Sequence, residues 1–243
     1  MDVQLAVVAT IFVGAILGAL VGFGIGMIML PGQLLAGTSL TATVFAILVV
    51  GGLTRLPDAW RARRTFDRSR VLPLLLGSVP GTLAGLMIRN HMDARWLQIG
   101  AGFATLASVV AMVAMGVKRQ ASPPSSGAFL RAGLLGGTLG PTTSLSGIPP
   151  ALAYARGQIE ARQTIEELSI YFVIGNTLML LALTSSLREL PLAPFTLVLW
   201  VVCAQVGTAI GTRYAARVSQ TVFRALTLIM AAVAGVACLA QAL

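Results

Sequence analysis

The chain has 243 residues, 56% of them hydrophobic and only 10% charged, with a mean hydropathy of +0.87. A soluble domain carries about 25% charged residues, so this composition excludes a water-facing globule and describes an integral membrane protein. The formal charge of +9 comes with no basic stripe interleaved with aromatics, which excludes nucleic acid as a partner and makes the arginines topology signals facing lipid headgroups.

The first apolar segment, Val3–Leu30, holds no charge. It exceeds the roughly 20 residues a spanning helix needs and lacks the basic start of a signal peptide. Within it lies the break Gly22-Phe23-Gly24-Ile25-Gly26, followed by Pro31. A second span runs from Leu40 to Leu53, with a start near Leu34, and is followed by the arginine-rich stretch Arg55 to Arg70. The third span is Val71–Ile88, interrupted by Pro73 and Pro80, and the fourth is Trp96–Val117. Lys118 to Gly127, with its Ser-Pro-Pro-Ser-Ser-Gly run, defeats helix and strand and reads as a linker. The fifth span, Phe129–Ser146, carries a second break, Gly136-Gly137-Thr138-Leu139-Gly140, followed by Pro149 and Pro150. Thr164–Leu187, Pro194–Thr212 and Val222–Ala242 complete the set.

These segments predict an all-α membrane fold of about eight transmembrane helices in two four-helix repeats with glycine/proline-broken segments. The repeats fall at residues 1–118 and 128–243, with the linker at 119–127. Val79-Pro80-Gly81-Thr82-Leu83-Ala84-Gly85 matches Gln205-Val206-Gly207-Thr208-Ala209-Ile210-Gly211 in the placing of Gly-Thr and the next glycine. Small residues at that spacing also serve plain helix packing. Four spans per half would make the repeats parallel, and re-entrant broken segments would change that count. With eight spans, loop arginines divide ten to seven in favour of the face holding Arg55–Arg70, which places both termini in the cytoplasm.

Backbone broken inside hydrocarbon must find partners other than lipid, so it lines a protein-enclosed cavity. Freed amides and the positive end of a helix dipole there suit an anion. The candidate substrate-binding residues are therefore Gly22, Gly24, Gly26 and Pro31 in the first half, with Gly136, Gly140 and Pro149 in the second. Thr38, Ser39, Thr142 and Thr143 are hydroxyl donors flanking the breaks. Each hydroxyl has the alternative of bonding back to its own helix. Asn176 and Gln205 are amides inside spans, open equally to a substrate contact or an interhelical hydrogen bond. Glu166 and Glu167 are candidates for carrying a coupling proton, against the alternative of a solvated first helical turn. Arg55 stands apart from the rest of its cluster because it sits at the membrane end of its helix, where it would attract an anion.

Cys203, Cys238 and the single His91 form no metal-ligand spacing, and no nucleophile set or phosphate loop appears. The expectation is no metal, no cofactor and no enzyme activity, with transport driven by an ion or substrate gradient.

The glycine runs at Gly22–Gly26 with Leu30-Pro31, then Ala36-Gly37-Thr38-Ser39, the arginine-rich stretch and Gly77 to Gly85 resemble the sulfite exporter TauE/SafE family, as does the second signature at Gly136–Pro150. The likeness covers nearly the whole chain. It implies a multi-span permease of a bacterial inner membrane that moves sulfite, sulfonates or related sulfur-containing anions outward. Gly22, Gly24, Gly26, Pro31, Gly136, Gly140 and Pro149 would be its core. Ile25 and Thr138-Leu139 depart from a tighter glycine run. An importer or channel for another small solute, and a membrane module without transport, remain open beside this reading.

Overall fold

The computed structural model describes residues 2–21, 25–114, 124–157, 159–184 and 192–215, and scattered helical positions between 221 and 240. Nine helices can be delimited among them: α1 Asp2–Val21, α2 Ile25–Leu35, α3 Leu40–Ala62, α4 Arg68–His91, α5 Ala94–Ala114, α6 Ser126–Thr143, α7 Ile148–Arg156, α8 Ala161–Thr184 and α9 Pro194–Ala215. Among the described residues α3, α4, α8 and Pro194–Tyr214 of α9 are long and apolar enough to cross a bilayer, and Val7–Leu20 forms a shorter apolar stretch. The molecule is an integral membrane protein.

Both glycine-broken segments differ from the single spans expected of them. Val3–Leu30 is two helices, not one. Gly18 of α1 lies beside Ile25, Gly14 beside Ile28, and Gly32 against Thr10, so α2 runs back along α1 as an antiparallel partner. Likewise Gly136 of α6 abuts Pro150 of α7, and Gly140 abuts Ser146. The physical reason is close approach: a side chain at Gly32 or Gly136 would overlap its neighbour and hold the two arms apart. Pro31 does not end a helix, because α2 continues to Leu35. The second break falls after Thr143, where Ser144 takes a left-handed conformation (φ 58°) and its amide bonds to the Gly140 carbonyl at 2.9 Å.

Other boundaries shift for readable reasons. Pro57 sits inside α3, which carries on through the first arginines to Ala62 rather than stopping at Leu53. Pro73 and Pro80 are accommodated within α4, whose start is capped by the Asp67 carboxylate accepting from the Ser69 amide at 2.8 Å. α6 begins at Ser126, inside the expected linker, of which residues 119–123 lie outside the described residues.

Two parallel helix pairs and one antiparallel pair hold the bundle together. Gly77, Gly81 and Gly85 of α4 press on the carbonyls of Leu130, Leu134 and Thr138 of α6, a step of four on each helix. Gly207 and Gly211 of α9 press in the same way on Phe12 and Ile16 of α1, and the Cys203 thiol approaches the Val8 carbonyl at 3.8 Å. Without a hydrophobic drive between helices in lipid, such backbone contact is a main source of association. α3 and α8 cross in opposite directions, with Val44, Phe45 and Leu48 packed on Met179 and Leu183, and Gly51 against Asn176.

Chain directions follow from these contacts. One face gathers the end of α3, the starts of α4, α6 and α8, and the ends of α7 and α9. Ser126 Oγ donates to Ser69 O at 3.2 Å, and Asp58, Arg162 and Thr212 line one opening there. The other face gathers the start of α3 and the ends of α4 and α6, where Arg89 donates to Thr41 Oγ1 at 2.7 Å and to Pro141 O at 2.6 Å.

Candidate anion site

Between the two turned-back helices lies a cavity of about 40 Å³. That is roughly three times the ~10–15 Å³ one water requires, room for a small oxyanion. Ile25 and Gly26 at the start of α2 form one wall, and the loop Ser144–Gly147 with Ile148 at the start of α7 forms the opposite wall. Gly51 and Arg55 of α3 and Asn176 of α8 complete the polar lining, with Ile47, Leu48 and Phe172 as apolar panels. The left-handed turn at Ser144 explains this wall. It halts α6, throws the chain across the gap, and brings the Ser144 carbonyl against Gly26, where a side chain would not fit. Pro149 and Pro150 follow inside the first turn of α7 and bring no N–H of their own. Just ahead of them, the main-chain amides of Ser146 and Gly147 have no hydrogen-bond partner among the described residues, so they are candidate donors.

Arg55 dominates the electrostatics. It is buried, 5% exposed, and one arm of its guanidinium, Nη2, donates to the Gly18 carbonyl of α1. Nη1 is buried with no partner, and so is the Ser144 hydroxyl. Among the described residues no carboxylate lines the cavity. A buried cation with no carboxylate in ion-pair contact is costly by several kcal/mol, and an anion in the cavity would relieve it. Asn176, 5% exposed, turns its amide toward Gly51 in the same space.

Residues 6–238, nearly the whole chain, match the family described as sulfite exporter TauE/SafE. The chain belongs to that family. It is therefore a membrane permease of a transporter family. No curated relative and no solved structure matches it.

The sequence candidates of this TauE/SafE protein are distributed unevenly around the cavity. Gly26 and Asn176 line it. Gly22 and Gly24 lie outside the described residues, as does the Pro31 side chain. Gly136 and Gly140 stand one layer behind, buried against Tyr171 and Met179, and Pro149 occupies the start of α7. Thr142 and Thr143 bond back to the carbonyls of Thr138 and Leu139 at 3.0–3.2 Å. Ser39 caps α3, accepting from the Ala42 amide at 3.3 Å, and Thr38 sits beside it in the α2–α3 loop. Gln205 Nε2 donates to Leu53 O at 3.1 Å, an interhelical bond. Arg55 and Ser144 are the cavity residues with free polar atoms. The signal for Arg55 was its place one turn inside the arginine cluster, and nothing in the sequence marked Ser144 above its neighbours.

The two glutamates part company. Glu166 pairs with Arg162 at 3.0 Å on the surface. Glu167 is fully buried: Oε1 accepts from Arg70 Nη2 at 2.8 Å and from the Asp67 amide at 3.2 Å, and Oε2 accepts from the Tyr154 hydroxyl at 2.7 Å. This knot binds α4, α7 and α8 at the arginine-rich face and lies outside the cavity lining. Asp67 in the loop above it has its carboxyl held below the usual range, chiefly by the Ser69 hydroxyl and also by Arg70. Among the described residues no group of three His, Cys, Asp or Glu gathers to hold a metal ion.

Proposed function

We propose that this protein is a secondary transporter that binds sulfite, a sulfonate or a related small sulfur-containing anion in the cavity between the α1–α2 and α6–α7 turns and carries it out of the cell. The observation that carries the reading is the unpartnered Nη1 of buried Arg55 facing a space that no carboxylate lines. The free amides ahead of α7 and the Ser144 hydroxyl add donors suited to a tetrahedral or pyramidal oxyanion. Asn176 joins them, while Gly26, Gly136 and Gly140 let the packed segments approach closely and Pro149 starts α7.

Alternating access needs two bundles related by pseudo-symmetry. The repeats at residues 1–118 and 128–243 supply them in this reading. Its support is the pairing of α4 with α6 and α9 with α1 through glycines at equal spacing, and the antiparallel crossing of α3 and α8. α1 and α6 then run in opposite senses, which makes the repeats inverted.

The same directions revise the expected orientation. Arg55, Arg61, Arg63, Arg64, Arg68, Arg70, Arg131, Arg156, Arg162 and Arg213 fall toward one face and only Arg89 and Arg95 toward the other, ten to two among the described residues. By the positive-inside rule the first face is cytoplasmic, and the amino terminus lies on the far side of a bacterial inner membrane. The wider opening, of about 260 Å³ between Ala19, Asp58, Arg61, Arg162 and Thr212, is on the cytoplasmic face, where an exporter loads.

Proteoliposomes loaded with labelled sulfite or methanesulfonate test the function. The expected result is saturable efflux above that of empty vesicles and its loss in Arg55→Gln. Efflux no greater than from protein-free vesicles across these anions would refute the substrate class.

A further inference from the structure

The cavity and the cytoplasmic opening share no lining residue among those described. Arg55 lines the inner cavity, while Ala19, next to the Gly18 whose carbonyl pins the guanidinium, lines the opening. Asp58 lines that opening too. It lies three residues along α3 from Arg55, on the same side of the helix, and is the carboxylate that acts electrostatically on it. Among the described residues its one close ion pair is a loose one with Arg61, 3.5 Å apart, on an arginine whose side chain is 77% exposed. Asp58 itself is only 14% exposed. The opening also holds Arg162 and Glu166, which neutralise each other at 3.0 Å.

An anion moving between the opening and the cavity therefore meets a carboxylate without a strong partner of its own, just before a cation with a free donor. We propose that Asp58 is the built-in counter-ion of Arg55, a residue that sets substrate affinity: it faces the guanidinium in the empty transporter and repels the arriving anion, which must take over Arg55. The arrangement keeps binding weak enough for release, as a transport site requires, and it discriminates by charge, since repulsion from Asp58 grows with the charge of the ligand. The inference rests on the anion-site reading above and names a residue outside the site itself.

Binding of methanesulfonate, a monoanion, and sulfate, a dianion, to the purified full chain by calorimetry tests it. Asp58→Asn removes the charge and keeps the shape. Affinity for methanesulfonate is expected to rise about tenfold, and affinity for sulfate by a larger factor, as expected for a full charge in a partly screened setting. Asp58→Glu is expected to return both toward wild type, and thermal melting establishes that each variant is folded. A purely structural aspartate would not produce a gain that scales with ligand charge. Unchanged or weakened binding of both anions in folded Asp58→Asn would overturn the inference while leaving the site standing, provided Arg55→Gln still abolishes binding. Binding that survives Arg55→Gln would overturn both.

Discussion

The α1–α2 and α6–α7 turns solve one geometric problem with different chemistry. Each folds a short helix back along a longer one through glycine contacts, and each ends against the same small cavity. The second supplies its own polar groups: a left-handed Ser144, an idle hydroxyl and free amides. The first contributes apolar Ile25 and bare Gly26, together with a carbonyl, Gly18 O, that holds Arg55 from α3 in place. Shape is shared and charge is not. The cavity lining is thus asymmetric, and in the proposed anion site that asymmetry would give a bound anion a defined orientation.

The frame is the most vulnerable part. Gly137→Leu in α6 would drive a side chain into the Ser78 backbone of α4, and Gly211→Leu in α9 would drive one into Ile16 of α1. Both are expected to prevent assembly, seen as loss of the monodisperse peak in detergent. A folded, active protein from one and not the other would break the parallel between the two pairs.

Next in size is the Glu167 knot, which joins Asp67 and Arg70 of the first half to Tyr154 and Glu167 of the second. Glu167→Ala leaves Arg70 with only the more exposed Asp67 at 3.2 Å and the Tyr154 hydroxyl without its acceptor, and removing one partner of a buried pair costs about 3–5 kcal/mol. A large fall in the midpoint of denaturant or thermal unfolding is the expected result, with anion affinity in the surviving folded fraction within twofold of wild type. A change in affinity with stability intact would instead give Glu167 a role in coupling.

Sharper tests of the chemical difference follow. Arg55→Gln is expected to lower sulfonate affinity at least ~100-fold, as removal of a desolvated charge-assisted contact does, measured by calorimetry. Ser144→Gly removes the hydroxyl but relieves a left-handed backbone that disfavours a side chain by about 1 kcal/mol. Stability should stay level or rise while affinity falls several-fold. The smallest effect belongs to the loop: Asp67→Ala removes the cap of α4 for about 1 kcal/mol. Because the Asp67 carboxyl is depressed in the folded protein, its contribution is present above its unfolded pKa and lost as pH falls through the folded one. The wild-type and Asp67→Ala melting curves should therefore converge toward acid.

Composition and pattern alone determined that this chain is a helical membrane protein, where most of its helices lie, that two of its apolar segments break, and that the family is TauE/SafE. Charge scarcity and apolar run length act locally, so they can be read one segment at a time. Tertiary structure decided what the breaks do. Whether Gly22–Gly26 merely bends a span or sends it back along itself depends on which surface α2 meets, and that choice reverses the sense of every helix after it. The second turn, at Ser144, likewise brings Arg156, Arg162 and Arg213 to the face of Arg55–Arg70, so that among the described residues an expected seven-to-five division of arginines becomes ten against two. The same folding back left Thr142 and Thr143 bonded to their own helix, took Glu167 into a knot with Arg70, and left Arg55 alone in a cavity. Whether a polar group is idle or satisfied depends on neighbours far away in the chain, and only packing brings those together.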